Sequence, residues 1–382
     1  MPPQRRGSGS TAGSSGVIAR GEPLAAVGHV RPFRPDDLPD VVGLRRRLFR
    51  FTERPSPAEL ADYCERVFCA NPWLDDELPS LVYEDQHGQV VGFLGVLPRR
   101  MTFQDETIRV AIATQLMVSP EARGLAGWRL VREFMAGPQD LSMSDLANDA
   151  TRLLWENLGG SVAVAHSVTW EKALRPYRLA VSRLEGGTLV RGAALAAQPL
   201  AALGDALAAA WPGVDRPSGG DTAPLAPATL AAAADELLRP FALRPDYHDD
   251  SLAWLLGQAA EKHQFGELVG GLVRQPDGAV AGWFLHYVEP GRTSQVLQVA
   301  GRPSGRALVL AHLLEDARRR GAIAVAGRLE PAWLLELAAQ GCTLRDDGPW
   351  VLYASRRPEI TDAIERGDAF LSRLDGEWWL SF

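Results

Sequence analysis

Cysteine is scarce in this chain, and the three present, Cys64, Cys69 and Cys342, are too few and too scattered for a disulfide framework or a zinc site. That usage fits a reducing compartment, and the expectation is a cytoplasmic protein. Long apolar runs are missing as well, so no bilayer-spanning segment and no membrane partner are expected. Arg5-Arg6 is followed by Gly, Ser and Thr in place of the apolar core of a twin-arginine export signal. Positive charge is in deficit: 40 Lys+Arg against 47 Asp+Glu leave a formal charge of −7, which argues against nucleic-acid binding driven by phosphate neutralisation. The chain also lacks Gly-x-Gly-x-x-Gly, Gly-x-x-x-x-Gly-Lys-Ser/Thr and Gly-x-Ser-x-Gly, which weighs against dinucleotide, P-loop and serine-nucleophile chemistry. No His, Cys and carboxylate cluster has metal-ligand spacing, and no metal is expected.

With 382 residues, 46% of them apolar and 23% charged, there is room for two domains that each bury a core. Residues 1–28 are rich in Gly, Ser, Pro and Ala without periodicity, and they are expected to be disordered because they offer too little apolar surface to offset the entropy of ordering. Val30 to Arg34 reads as an edge strand. Pro35-Asp36-Asp37 then starts a helix with Leu38, Val41, Val42, Leu44 and Leu48 on its apolar face. Arg45-Arg46-Arg47 on that helix could meet an anion, but such a run is more often a solvated face, and that reading is adopted. A second helix covers Ser56 to Ala70, and Trp73 is read as core packing. Leu81 to Asp85 and Val90 to Val96 make a β-hairpin about a turn at Gln86-His87-Gly88, and Thr107 to Val118 returns antiparallel to them.

The most informative stretch comes next. Thr114 to Val118 is rich in strand formers, and Ser119-Pro120 stops it because proline gives no N–H to a ladder. Arg123-Gly124-Leu125-Ala126-Gly127 makes a small-residue turn, after which Leu130, Val131 and Phe134 recur at helical spacing. Such a turn aims unpaired N–H groups outward at the positive end of a helix dipole, which suits a phosphate or pyrophosphate.

The run Leu116-x-Val118-x-Pro120-x-x-Arg123-Gly124 resembles the strand-to-helix junction of GCN5-related N-acetyltransferases, the GNAT superfamily, with its Gln/Arg-x-x-Gly-x-Gly/Ala loop. Asn148, Leu154, Trp155, Glu156, Leu158 and Gly159 match the spacing of that family's second helix. The order strand, two helices, three strands, helix, strand, helix, strand is also the family's, with Ser161 to Trp170 as the closing strand. This resemblance implies that backbone near Leu116, Met117 and Val118 pairs with the pantetheine arm of an acyl-coenzyme A. It further implies that the amides of Arg123, Gly124, Leu125, Ala126, Gly127 and Trp128 hold the pyrophosphate, with Asn148 close by. Two positions depart from the pattern. Trp128 puts a bulky indole at the phosphate turn, and Trp155 stands where many members place a tyrosine to protonate the departing thiolate. An indole N–H donates a hydrogen bond but is no practical acid.

Residues 181–225 are dominated by Ala and Leu, broken at Trp211-Pro212-Gly213 and Pro217-Ser218-Gly219-Gly220, and read as a linker with one helix near Pro199 to Ala210. Helices at Pro227 to Arg239 and Asp250 to Lys262 follow. A repeat of the first plan then begins, with strands at Leu268 to Arg274, Ala279 to Leu285 and Thr293 to Ala300. The turn Arg302-Pro303-Ser304-Gly305-Arg306-Ala307 fits the Arg-x-x-Gly-x-Gly/Ala loop letter for letter ahead of a helix from Leu308 to Arg320, and the resemblance makes Arg302, Gly305 and Ala307 candidate cofactor contacts. Strand Ala322 to Gly327, helix Pro331 to Ala339 and strand Trp350 to Ser355 complete the copy. The expected fold is α/β, with two GNAT-like domains, each a mostly antiparallel twisted sheet flanked by helices. Residues 29–180 form the acyl-CoA-binding domain, 226–358 its diverged counterpart, and 359–382 a terminal element packing around Trp378-Trp379.

A tandem GNAT-like chain implies an acyltransferase that takes acetyl-CoA or another acyl-CoA as co-substrate and a small-molecule amine as acceptor. Direct attack on the thioester needs a neutral amine, a carbonyl polarised by a backbone N–H near Val118, and a route for protons. For that route the sequence offers His166 and Glu171 after the second helix, and His286 and Tyr287 at the end of a central strand, the latter two being the better acid and base pair. A lone histidine between apolar residues, such as His166, is more often structural. Two rival readings stand beside this one. A Fem-like aminoacyl transferase would use charged tRNA, against which the acidic charge weighs. A non-catalytic acyl-CoA-binding or partner-supporting module is favoured by the loss of tyrosine in both copies, at Trp155 and Leu337.

Overall fold

Local chemistry sets the first elements of the computed structural model, which describes residues 28–49, 55–184, 197–206, 217 and 219–380. The expected tail at residues 1–27 and linker residues 185–196 and 207–216 lie outside that set. Strand β1 (His29–Pro32) leads through a proline-started turn into α1 (Leu38–Leu48). Helix α2 (Pro57–Phe68) opens on a capping box: the Glu59 N–H donates to Ser56 Oγ at 3.2 Å and the Ser56 N–H donates to the Glu59 carboxylate at 2.7 Å. Strands β2 (Leu81–Glu84), β3 (Val90–Phe103) and β4 (Glu106–Val118) then form an antiparallel meander. β3 runs past Val96, where its sequence reading ended, and includes Pro98. Away from β4 that part of β3 has no strand partner: β2 pairs as far as Leu94, and the strand Leu243–Pro245 takes up only at Met101, so the missing N–H breaks no ladder there.

Helix α3 (Leu125–Met135), β5 (Leu141–Ala147) and α4 (Asp149–Asn157) follow. β5 runs parallel to β4 and pairs with it at Val110–Leu141, Ala111–Ser142 and Ile112–Met143 only. Beyond those positions the two strands part, and the edge of β4 from Ala113 to Val118 that faces β5 has no strand partner among the described residues. Within it Gln115 adopts φ 51, at the place where the β3–β4 register shifts. Ser161 to Trp170 is not one strand, as the sequence reading had it. It divides into β6 (Ser161–Val162), a one-turn helix α5 (Val164–Ser167) and the start of β7 (Thr169–Ala173).

The chain continues through α6 (Pro176–Ser182), a helical stretch at 197–206 (α7), β8 (Asp221–Pro224), α8 (Pro227–Leu237), β9 (Leu243–Pro245) and α9 (Asp249–Ala260). β10 (Glu267–Arg274), β11 (Val280–Val288), β12 (Thr293–Gly301), α10 (Arg306–Arg319) and β13 (Ala324–Arg328) come next. α11 (Leu334–Ala339), β14 (Thr343–Arg345), β15 (Trp350–Ser355) and α12 (Pro358–Glu365) precede an irregular C-terminal segment.

The result is an α/β protein with two mixed, mostly antiparallel sheets flanked by helices. One has the order β1-β2-β3-β4-β5-β15-β6 with β9 added on β3; the other runs β14-β7-β13-β12-β11-β10-β8. The halves therefore exchange strands. β7 leaves the first half to pair with β13 and β14, and β15, read from sequence as the last strand of the second half, pairs with β5 and β6. One core cluster spans the exchange, joining Val41, Leu97 and Leu141 of the first half to Trp283, Leu297 and Val351 of the second and to Phe370, Leu374 and Trp379 of the C-terminal segment.

Leu352 of β15 is fully buried among Leu94, Val96, Ala113 and Trp155, all from the first half. Leu352→Ala is expected to cost about 2–5 kcal/mol by denaturant unfolding and to speed amide exchange in β5. An effect confined to β13 and β14 would contradict the exchanged pairing.

Candidate active site

The parting of β4 and β5 opens a cavity of about 310 Å³. Thr114, Gln115 and Leu116 of β4, Ser144 and Leu146 of β5 and Trp155 of α4 line it together with Arg45, Lys262, Glu377 and Leu380. Arg45 corrects the solvated-face reading: it lies four residues after Val41, on the same helical face, and is buried, with its guanidinium 5.1 Å from the Tyr63 ring and 5.2 Å from Phe49. Of that arginine run only Arg47 is exposed. Gln115 donates to the Tyr63 hydroxyl at 2.9 Å.

Glu377 was not singled out from sequence, and it is the cavity's buried acid. Its carboxylate accepts from Ser144 Oγ at 2.8 Å and from the Leu146 N–H at 3.2 Å, and it is hydrogen-bonded to Thr114. Burial, with the nearby charge of Asp145, pushes its pKa up to about 7 against the pull of those donors. Lys262 was also missed. Burial lowers its pKa to about 7, while its ammonium donates to the carbonyls of Trp378 and Leu380 and lies 4.3 Å from the Trp378 ring. The only signal in the sequence was indirect: a Glu beside a Trp pair at the chain's end, and a Lys just beyond an apolar helix.

The glycine turn after β4 is open. Gly124 has φ 92, a left-handed value suited to glycine, and among the described residues beyond its two chain neighbours no atom lies within 4 Å of where a Cβ would stand. It starts α3 without a side-chain cap, so the N–H groups of Leu125, Ala126 and Gly127 have no helical partner. The Trp128 amide does not belong with them, because it donates within the helix to Gly124 O at 3.0 Å. Its indole stacks on Arg132 at 4.5 Å. Arg123 is exposed, Leu116 lines the cavity, Val118 is half-buried beside α3, and Met117 points into the shared core. Asn148 caps α4 by accepting from the Thr151 N–H at 2.9 Å and also lines the cavity.

In the second half the matching turn is closed. A Cβ on Gly305 would meet Ala281 O at 2.9 Å. Arg302 is turned back on the sheet, with Nε donating to Val280 O at 2.8 Å and Nη2 paired with Glu236, while Ala307 is exposed on α10. The gap past the parallel β12–β13 pairs is filled by the C-terminal segment, where Arg373 donates to Val296 O at 3.2 Å and Gln298 to Ser372 Oγ at 2.9 Å.

None of the four residues read as acid or base lines the cavity. His166 lies in α5, 1% exposed, beside Ala369 O at 3.3 Å. Glu330 is 3.7 Å from it, yet the two are not an ion pair at neutral pH: burial drives the imidazole down to about 3 and the carboxyl up to about 8. Glu171 is on β7 in the second sheet, paired with Arg183. His286 and Tyr287 are neighbours in one strand, so they project to opposite faces. His286 is fully buried between Ser294 Oγ at 2.7 Å and Asp316 at 3.0 Å, whereas the Tyr287 hydroxyl donates to Ala259 O at 2.8 Å.

Residues 29–137 match the family model described as an acetyltransferase (GNAT) domain. Solved structures share the fold. A probable N-acyltransferase from Enterococcus faecalis V583 superposes with a TM-score of 0.56 at 10% identity, over 86% of this chain and 73% of that one. GCN5-related N-acetyltransferases from Anabaena variabilis and Kribbella flavida give TM-scores of 0.54 and 0.52 at 13% and 15% identity, over 87% and 86% of this chain and 73% and 72% of theirs. No curated protein matches the chain in sequence. Among the described residues no helix is long and apolar enough to cross a membrane.

The folded-state pKa of His166 is depressed, so its contribution to stability is present above about pH 6.5 and is lost as pH falls towards 3. His166→Asn removes that share. By scanning calorimetry its Tm is expected to fall less than the wild type's between about pH 6.5 and 4, and equal falls would refute the buried-neutral assignment.

Proposed function

We propose that this chain transfers an acyl group from acyl-coenzyme A to the amine of a small molecule, by direct attack on the thioester in the cavity between β4 and β5. The observation that carries the reading is Glu377, a buried carboxylate with a near-neutral pKa set in the gap where the strands part. Bound acyl-CoA would supply an activated thioester carbonyl. The Gly124 turn fits its diphosphate, since among the described residues the space beside Gly124 is clear and the N–H groups of Leu125, Ala126 and Gly127 have no acceptor at the positive end of α3. The unpaired edge of β4 at Leu116 to Val118 offers backbone groups to the pantetheine amides, and an N–H there is the donor for the carbonyl.

Glu377 takes the proton that the amine sheds as its nitrogen bonds to the thioester carbon and the thiolate leaves. Burial and the charge of Asp145 raise its pKa to about 7, so it holds a proton far more readily than an exposed carboxylate does. Ser144, Thr114 and the Leu146 N–H fix its orientation. Lys262 is the group placed to return a proton to the thiolate, because Trp155 occupies the tyrosine position and an indole cannot do so. The apolar walls at Leu94, Val131 and Trp155 limit water near the thioester. Trp155 also keeps alive the second reading, a module that binds acyl-CoA without turning it over.

Calorimetry with acetyl-CoA is expected to show binding by the wild type and its loss in Gly124→Pro. Glu377→Gln is expected to keep the binding, to lower kcat about 10²-fold or more in thiol-release assays across a panel of primary amines, and to lose the rise in rate as pH climbs through about 7. Binding with no turnover on any amine selects the second reading, and absence of binding rejects both.

A further inference from the structure

Glu377 is held by a line of buried groups that starts in the other half of the molecule. Arg328, on β13 of the second sheet, is paired with Asp145 on β5 of the first sheet, Nη1 to Oδ2 at 2.7 Å, and its other terminal nitrogen donates to Leu371 O. Both side chains are almost wholly shielded, at 6% and 1% exposure. The second oxygen of Asp145 accepts the backbone N–H of Glu377 at 2.7 Å. Gly376 makes that approach possible, because a Cβ there would lie 2.2 Å from the Asp145 carboxylate.

From this geometry we infer that Arg328 and Asp145 are positioning residues for Glu377, so that the closed second half serves as the mount for the base of the first. The inference rests on the reading of Glu377 as the base. Asp145 fixes the peptide that carries the carboxylate and sets a negative charge beside it, and Arg328 both anchors Asp145 and offsets that charge. A pair buried this deeply does not add much net stability, but leaving either member alone places an uncompensated charge next to the cavity. The other groups facing Glu377 are the Thr114 and Ser144 hydroxyls of β4 and β5 and the Leu146 N–H, with Tyr63 of α2, Arg45 of α1, Lys262 after α9 and Arg373 of the C-terminal segment further around it. Among these groups Arg373 also reaches the second sheet, at Val296 O, but it is Asp145 that bonds both to that sheet, through Arg328, and to the Glu377 N–H.

The test reads Glu377 directly, without donor or acceptor. The full chain labelled with carboxyl-13C glutamate is titrated by NMR, and the Glu377 signal is assigned by its disappearance in Glu377→Gln. Asp145→Asn removes the adjacent negative charge and leaves Arg328 unpaired, so the titration midpoint is expected to move down by about one pH unit or more. Arg328→Met leaves the Asp145 charge uncompensated, and the midpoint is expected to move up by a similar amount. Arg328→Lys keeps the charge and is expected to hold the midpoint near the wild-type value.

Shifts of opposite sign in Asp145→Asn and Arg328→Met support the inference, since a loss of general packing would move both the same way. Unchanged midpoints, or shifts of one sign, overturn it. If Arg328→Met fails to fold, Asp145→Asn and Arg328→Lys decide: a lowered midpoint in the first with a retained one in the second supports the inference, and any other pair of results overturns it. The base reading fails separately, if Glu377→Gln leaves the pH dependence of acyl transfer as it was.

Discussion

Two parallel strands that separate leave facing backbone edges without partners, and groups of that kind must be satisfied by something else. In this protein the condition arises in each half, where β4 and β5 part after Ile112 and Met143, and where β12 and β13 part after Gln295 and Ala326. The C-terminal segment meets it differently in the two places. In the second sheet it fills the gap with Arg373 and Ser372. In the first it contributes Glu377 and Leu380 to the wall and leaves a cavity of about 310 Å³. One short stretch of chain thus closes one cleft and furnishes the other.

The same asymmetry runs through the glycine turns. Gly124 and Gly305 occupy equivalent places between a strand and a helix, yet Gly124 lies in the left-handed region with clear space beside it and Gly305 is pressed against Ala281. A turn can pack on its own sheet or stay open to a ligand, and the two halves of this chain have each taken one course. The strand exchange reinforces the division, because β15 completes the first sheet and β7 the second. Neither half then has a full sheet of its own, and the core that joins Leu97 and Leu141 to Trp283 and Phe370 is common property.

Several buried charges sit around that shared interior. Asp145 and Arg328 neutralise each other across the halves, and the Glu377 amide is tied to the same carboxylate. His166 and Glu330 meet the interior by losing charge, the imidazole unprotonated and the carboxyl protonated at neutral pH. Glu377 and Lys262 are intermediate, each with a pKa of about 7, and they alone of these groups line the cavity. Groups poised to change protonation are the ones that proton transfer can use.

What was legible in the sequence was what short-range chemistry fixes. The proline stop after Val118, the glycine turn at Gly124, the Asn148 cap and the helical spacing of Leu130, Val131 and Phe134 each act over a few residues, and each marked its element and the GNAT plan. The closing strands were legible as strands in part but not in their pairing, since hydrogen bonds between β15 and β5 join residues about two hundred positions apart and no local pattern encodes them. The buried Glu377 and Lys262 of the cavity were hidden for the same reason. His166, Glu171, His286 and Tyr287 carry side chains able to move protons, but strand alternation and the turn into α5 set them away from the cavity. Glu377 and Lys262 are unremarkable in sequence, and only burial and the approach of Asp145 make them different from any surface Glu or Lys. The elements and the glycine turn at Gly124 follow from the sequence alone, because those depend on backbone sterics and local hydrogen bonds. The tertiary structure decided which groups face the cavity and in what protonation state, because desolvation and long-range charge exist only once the chain has folded.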